Sequence, residues 1–341
     1  MKFQLDLKKM KKLKNSTNMI PYSELNSIVA NSFSNLNFNS EPQNLYEPIK
    51  YILGIGGKRI RPILTLAGCN VFSDDIKSAI NPAIAVEIFH NFTLVHDDIM
   101  DNADLRRGNE TIHKKWNNNI AILSGDAMTI IAYQYLASSN PKYLGKIVEI
   151  FSSFALGICE GQQLDMDFEN RKKVTRDEYL KMIELKTSIL LKGALQIGAV
   201  LGGANDDDVK NIGEFGRCLG LAFQLQDDLL DTYGNVETFG KNIGGDIMAG
   251  KKTILTIETI ERLGNKVDDF IELLGSNTLP RESKVNEVIR FYNEVGVKEI
   301  VEGLIDDYFK KAHESLTQIS VSEERKAVLV EISQKLMNRK N

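Results

Sequence analysis

Apolar residues recur along this chain at three- and four-residue intervals, the spacing of one helical face. Ile84, Ile88, Phe92 and Val95 form one stripe; Leu180, Ile183, Leu190, Leu191 and Leu195 form another. Strand-like alternation never extends far, and Asn-Gly and Asp-Gly hairpin turns are absent. The pattern predicts an all-α protein with essentially no sheet. Helices are expected near 22–35, 43–54, 60–72, 82–101, 119–137, 141–167, 176–203, 206–234, 249–264, 284–318 and 321–338. Asn81 and Pro82 read as the N-cap and first residue of the fourth helix. No linker splits the chain, so one helical domain is expected over 19–341. The segment before it, 1–18, is basic and reads as a disordered or frayed extension.

Two of these helices end in the same acidic signature. Asp97, Asp98 and Asp101 lie in FTLVHDDIMDNADLRRG, and Asp227, Asp228 and Asp231 in FQLQDDLLDTYG. Residues four apart share a helical face, so Asp97 projects with Asp101 and Asp227 with Asp231. Like charges at that spacing cost a helix roughly 0.2–0.5 kcal/mol per pair. Solvated surface accounts for most acidic pairs, such as Asp74-Asp75 and Asp268-Asp269, and Asp206-Asp207-Asp208 fits a helix start. A motif that repeats after two apolar runs instead points to a bound cation. Oxygen ligands in this number suit Mg2+ shared between carboxylates and a substrate phosphate.

Basic groups supply the other half of an anion site. GGKRIRP sets Lys58, Arg59 and Arg61 beside two glycines at an expected helix start, where backbone N–H groups favour phosphate. Arg106 and Arg107 follow the first acidic cluster, and Lys186-Thr187, Lys241 and Lys251-Lys252 add donors. No GxxxxGK[ST] is present, so this is not a P-loop. His90 lies two helical turns before Asp97 and can reach a ligand on the same face, whereas His113 and His313 have no site context in the sequence.

Charge and composition remove other classes. The net charge of −4 lacks the basic surplus of a nucleic-acid protein. Three widely spaced cysteines form no zinc motif and fit a reducing, cytoplasmic setting. No run of 18 apolar residues occurs, so no membrane span is expected.

In order, GGKRIRP, EIFHNFTLVHDDIMDNADLRRG, EGQQLDM, ELKTS, FQLQDDLLD, FGKNIGGDI and GKKT resemble the trans-isoprenyl diphosphate synthases, or polyprenyl synthetases. The resemblance spans about Leu45 to Thr256, and no position in these motifs is broken. It implies a helical bundle around a deep central cavity, usually a homodimer. It implies Mg2+-dependent, head-to-tail condensation of isopentenyl diphosphate with an allylic diphosphate such as dimethylallyl, geranyl or farnesyl diphosphate. By motif, Asp97, Asp101 and Asp227 resemble the Mg2+ ligands, supported by Asp98, Asp228 and Asp231. Lys58, Arg61, His90 and Arg107 resemble the isopentenyl diphosphate pocket; Arg106, Lys186, Lys241 and Lys251 resemble contacts to the allylic diphosphate. Thr187 and Gln224 resemble neutral partners of the reacting carbon. Phe92, five residues before Asp97, resembles the floor of a short-chain, C20 type of enzyme, with Phe89 one turn deeper. A C15 product is the main alternative, a longer one follows if helices splay past Phe92, and both phenylalanines also read as plain core. A terpene cyclase would need only one diphosphate pocket, and a non-catalytic partner subunit would have lost aspartates or the RRG.

Overall fold

A computed structural model describes residues 19–234, 243–276 and 278–337. Its helices run Tyr22–Ser34, Gln43–Gly54, Ile60–Phe72, Lys77–Met100, Ile112–Lys115, Asn118–Ala137, Pro141–Glu169, Arg176–Ile183 and Ile189–Leu201. They continue as Asp206–Tyr233, Gly245–Met248, Ile254–Arg262, Val267–Gly275, Arg281–Glu294, Val297–Thr317 and Glu323–Met337. The only sheet among the described residues is a two-residue hairpin, Leu105–Arg106 with Asn109–Glu110.

The apolar stripes become two packed cores. One gathers the helices from Tyr22–Ser34 to Ile189–Leu201, except Arg176–Ile183, with the final helix. The other gathers Phe168, Tyr179, Met182 and the helices between Ile247 and Ile305. The Asp206–Tyr233 helix serves both: Ile212, Phe215 and Leu219 enter the first core, and Leu221 and Leu225 the second. The change falls near residues 219–221, and the acidic end that follows packs with the second core beside Leu229 and Tyr233.

Several boundaries differ from the periodicity reading. Pro82 does not open its helix but lies inside Lys77–Met100. Asp75 caps the earlier start by accepting the Lys77 N–H at 3.0 Å, and fully buried Ala79 anchors the added turn. The 284–318 segment is two helices, because Gly296 turns left-handed (φ 65°) between them. The 249–264 segment starts late, at Ile254, and Val267–Gly275 has no counterpart in the reading. The hairpin was also missed: Arg107 (φ 53°) and Gly108 (φ 78°) make a turn with both φ values positive, without the Asn-Gly signal.

The segment 176–203 is interrupted rather than continuous. Glu184–Ser188 forms one π-helical turn between two α-helices. Such turns carry an extra residue per turn and cluster at functional sites. Two glycines hold this one. A Cβ at Gly161 would strike the backbone of Leu185 and Lys186, and one at Gly220 would sit 2.6 Å from the Ser188 Cα. Both flanking helices thus press against the turn at backbone distance, and its side chains are aimed by that contact.

Candidate active site

The two acidic clusters occupy the C-terminal ends of Lys77–Met100 and Asp206–Tyr233. Helix C-termini carry partial negative charge, so each cluster adds carboxylates where the dipole already repels them. Burial pushes the Asp97 carboxyl up to about 6, with Asp101 and Asp98 adding repulsion and Lys186 and Arg106 opposing it. Asp228 is 4 % exposed, and burial with Asp246 and Asp227 pushes it up to about 8. It reaches that value although Tyr179 donates to its Oδ2 and the Gln224 amide to its Oδ1 at 3.0 Å. A cation placed between such groups relieves the repulsion.

Asp98 and Asp231 are held in place by other means. Asp98 is 1 % exposed and accepts both Nε and a terminal nitrogen of Arg106 on Oδ1, at 2.9 and 2.5 Å. Asp231 accepts the Asp246 backbone N–H at 3.0 Å, which ties the second acidic helix to the short helix that follows it.

The π-turn links the clusters. Lys186 reaches Asp165 at 2.5 Å and acts on Asp97, while its neighbour Thr187 donates to Gln224 at 2.9 Å, whose amide continues to Asp228. Consecutive residues thus face the first and second clusters. Lys251 completes the bridge: burial would lower its pKa, but Asp246, Asp101, Asp165 and Glu169 together raise it. Lys252 turns elsewhere and donates to the terminal carbonyls of Phe168 and Glu169 at 2.8 and 3.1 Å.

A second cationic group lies behind the first acidic helix. Arg107 donates to the Gly56 carbonyl, bringing the hairpin onto the GGKRIRP loop. Lys58 is exposed in that loop, and Arg61 lies in the first turn of Ile60–Phe72. Arg61 and Arg107 both bear on His90, whose pKa is lowered well below the ordinary range, first by burial and then by these charges. They also bear on Glu87, a 3 % exposed carboxyl that burial pushes up. Arg59 points away: it donates to the Leu53 carbonyl at 3.2 Å and lies over the Phe33 ring at 4.5 Å.

Buried neutral, His90 has a stability consequence. Unfolding frees the imidazole to titrate near its ordinary value of about 6.5. The unfolded chain then binds more protons than the native one, so stability falls as pH drops through that value. His313, lowered by burial, contributes in the same direction. The Tm of wild type should fall between about pH 7 and about pH 5 more steeply than that of His90→Gln. Identical slopes would show that His90 is not held neutral.

Phe92 and Phe89 stand below the first cluster in an aromatic stack. The ring centroids are 5.2 Å apart, and Phe89 meets Phe151 at 5.3 Å and Phe154 at 5.8 Å. Phe89 is buried at 2 % exposure, whereas Phe92 is only partly buried.

Lys241 lies outside the described residues. Of the other residues singled out from the sequence, the two aspartate clusters, Arg106, Lys186, Thr187, Gln224 and Lys251 fall into the first group and Lys58, Arg61, His90 and Arg107 into the second, whereas Phe89 and Phe92 lie in the aromatic stack and Arg59 and Lys252 turn away. The sequence reading did not name Glu87, Asp165, Tyr179 or Asp246. Asp165 and Asp246 sit inside the EGQQLDM and FGKNIGGDI motifs, but no spacing rule marks them. His113, without context in the sequence, is folded close enough to act on Asp98.

The chain matches the polyprenyl synthetase family over residues 42–295. It is 39% identical over 302 residues to the geranylgeranyl diphosphate synthase of Methanosarcina mazei, covering 88% of this chain and 91% of that protein. It is 32% identical over 318 residues to the geranylfarnesyl diphosphate synthase of Natronomonas pharaonis, covering 88% and 91%. A crystal structure of a geranylgeranyl pyrophosphate synthase superposes with a TM-score of 0.90 at 43% identity, over 95% of this chain and 100% of that one. The chain belongs to the polyprenyl synthetases and is a trans-prenyltransferase of the all-helical isoprenoid-synthase fold.

Proposed function

We propose that this protein condenses isopentenyl diphosphate with allylic diphosphates, head to tail, and releases C20 geranylgeranyl diphosphate. The observation that carries the reading is the π-turn, whose Lys186 and Thr187 address the two carboxylate clusters from adjacent positions.

Among the described residues no three His, Cys, Asp or Glu side chains form a ready metal-binding group. Hard carboxylate oxygens gathered at two helix ends would suit Mg2+. Asp97, Asp101 and Asp227 would hold it, with Asp98, Asp228 and Asp231 in support. Bound there, Mg2+ supplies Lewis acidity that lets diphosphate leave.

The chain's own groups do the remainder. Arg106, Lys186 and Lys251, with Lys241, hold the allylic diphosphate as its charge grows. The Thr187 hydroxyl and Gln224 amide turn their dipoles toward the allylic carbon as it becomes cationic. Lys58, Arg61, Arg107 and His90 hold isopentenyl diphosphate so that its double bond meets that carbon. The departing diphosphate is placed to take the proton that is lost. The aromatic stack around Phe92 keeps water from the cation.

Phe92 as a floor, with relatives named for C20 synthesis, supports geranylgeranyl diphosphate as the product. Incubation with labelled isopentenyl diphosphate, an allylic starter and Mg2+ tests this, with chromatography of the dephosphorylated product. Cyclised hydrocarbon, or no turnover by the pure chain, would overturn it.

The two-pocket assignment has its own check. Arg107→Ala and Lys58→Ala should raise KM for isopentenyl diphosphate more than that for the allylic substrate, by ~1.5–3 kcal/mol for a lost charged hydrogen bond. Equal effects on both substrates would contradict it.

The working unit is inferred to be a homodimer of one-domain chains. Asn118–Ala137 is long and apolar enough to cross a membrane by length and composition, and one face packs on Lys77–Met100 through Ala121, Met128 and Ala132. The other face exposes Ile122, Leu123 and Ile130, and the following helix exposes Leu156, apolar surface suited to a second copy. A monomeric mass in sedimentation velocity would overturn that inference.

A further inference from the structure

Tyr179 is a buried phenol that the reaction outlined above leaves without a task. It is 3 % exposed and donates to Asp228 Oδ2 from the helix that leads into the π-turn. That helix is fixed at its start in two ways. Thr175 and Glu178 form a reciprocal cap, and Arg176 donates to Glu258 Oε2 at 2.6 Å. Glu258 is fully buried on Ile254–Arg262, and Arg262 holds the same carboxylate from its own helix. The phenol is thus delivered to Asp228 by an element anchored away from the site.

From Asp228 the hydrogen bonds run on toward the π-turn. Oδ1 accepts the Gln224 amide N–H at 3.0 Å, and Gln224 Oε1 accepts the Thr187 hydroxyl at 2.9 Å. The polarity of each link follows from the one before it. The Tyr179 hydroxyl occupies Oδ2 and can donate or accept, so Oδ1 stays an acceptor whether or not the carboxyl carries a proton. An acceptor there turns the Gln224 NH2 toward it and the Gln224 carbonyl toward Thr187. The Thr187 hydroxyl then donates, which engages its hydrogen and leaves its lone pairs for a neighbour. With the amide reversed, Thr187 would accept from Gln224 and turn its hydrogen outward.

We propose that Tyr179 is a positioning residue: through Asp228 it sets which way the Gln224 amide and the Thr187 hydroxyl face, so that oxygen lone pairs meet the allylic carbon as it becomes cationic. The inference rests on the proposed placement of Thr187 and Gln224 beside that carbon. It gives Asp228 a role in orienting Gln224, consistent with a protein donor on each of its oxygens.

The single-turnover rate of bond formation tests this, because product release does not mask it. Tyr179→Phe should slow that step about tenfold, the loss of one hydrogen bond to a carboxyl group. Both KM values should stay within about twofold, because other groups hold the diphosphates. Thr187→Val removes the far end of the relay, so adding Tyr179→Phe to it should slow the step little further. Fully additive effects would make Tyr179 structural and overturn the proposal. Asp228→Asn is the second variant, should Tyr179→Phe fail to fold. It keeps the shape but can offer an N–H to Gln224 and let the amide reverse. It should slow the same step with Tm near that of wild type and a half-saturating Mg2+ concentration within about twofold of it. A rise of about tenfold or more in that concentration would mark Asp228 as a metal ligand and overturn the relay. Bond formation at the wild-type rate in either Tyr179→Phe or Asp228→Asn overturns the relay alone. No condensation by wild type overturns the proposed function beneath it.

Discussion

Turnover should fall about 10³-fold or more in Asp97→Ala and in Asp227→Ala, because each removes an anchor for Lewis-acid stabilisation worth several kcal/mol. The fold should survive both. Asp97 stands among like charges at a helix C-terminus, and its carboxyl is already pushed up to about 6, so alanine relieves a local cost. The ligand-free Tm of Asp97→Ala should therefore equal or exceed that of wild type. Asp98→Ala should behave differently: it removes the buried partner of Arg106 and lowers Tm along with activity. Near-normal turnover in Asp97→Ala or Asp227→Ala would sink the metal assignment, and a collapse of Tm would show that Asp97 is structural.

Phe92→Ala should lengthen the product. Phe92 is the partly buried top of the aromatic stack, so its removal opens space toward Phe89. Phe89 is clamped edge-on by Phe151 and Phe154 and becomes the next stop. The expected result is a product one C5 unit longer than wild type, not an open-ended series. Phe89→Ala should instead cost roughly 3–5 kcal/mol of stability, as large aromatic deletions in a packed core do. Chromatography of the dephosphorylated products decides the first point and denaturant unfolding the second. An unchanged product distribution in Phe92→Ala would remove it from the floor.

Much of this molecule was legible in its residues because helices announce themselves locally. Ile60–Phe72 and Asn118–Ala137 were readable to within a residue, since their apolar spacing is intrinsic to the segment. Both acidic motifs were readable for a similar reason: a repeated cluster of like charges is unfavourable wherever it sits unless something binds it. Local rules failed where a distant contact outweighed them. Pro82 carries a helix-start signal, but burial of Ala79 extended the helix past it. The Arg107-Gly108 turn lacks the residues that usually mark a hairpin, yet its backbone adopts the required angles against the Gly56 loop.

By itself, then, the sequence determined an all-helical chain, the repeated carboxylate cluster at two helix ends and the family it belongs to. The tertiary structure alone decided which side chains share a charge field. No spacing rule joins Lys251 to Asp101, Tyr179 to Asp228, or His113 to Asp98. Those pairings follow from how helices cross, and helix crossing is set by close contacts such as Gly161 and Gly220 against the π-turn. The periodicity of one helix states which face is buried; only packing against a second helix states what that face will meet.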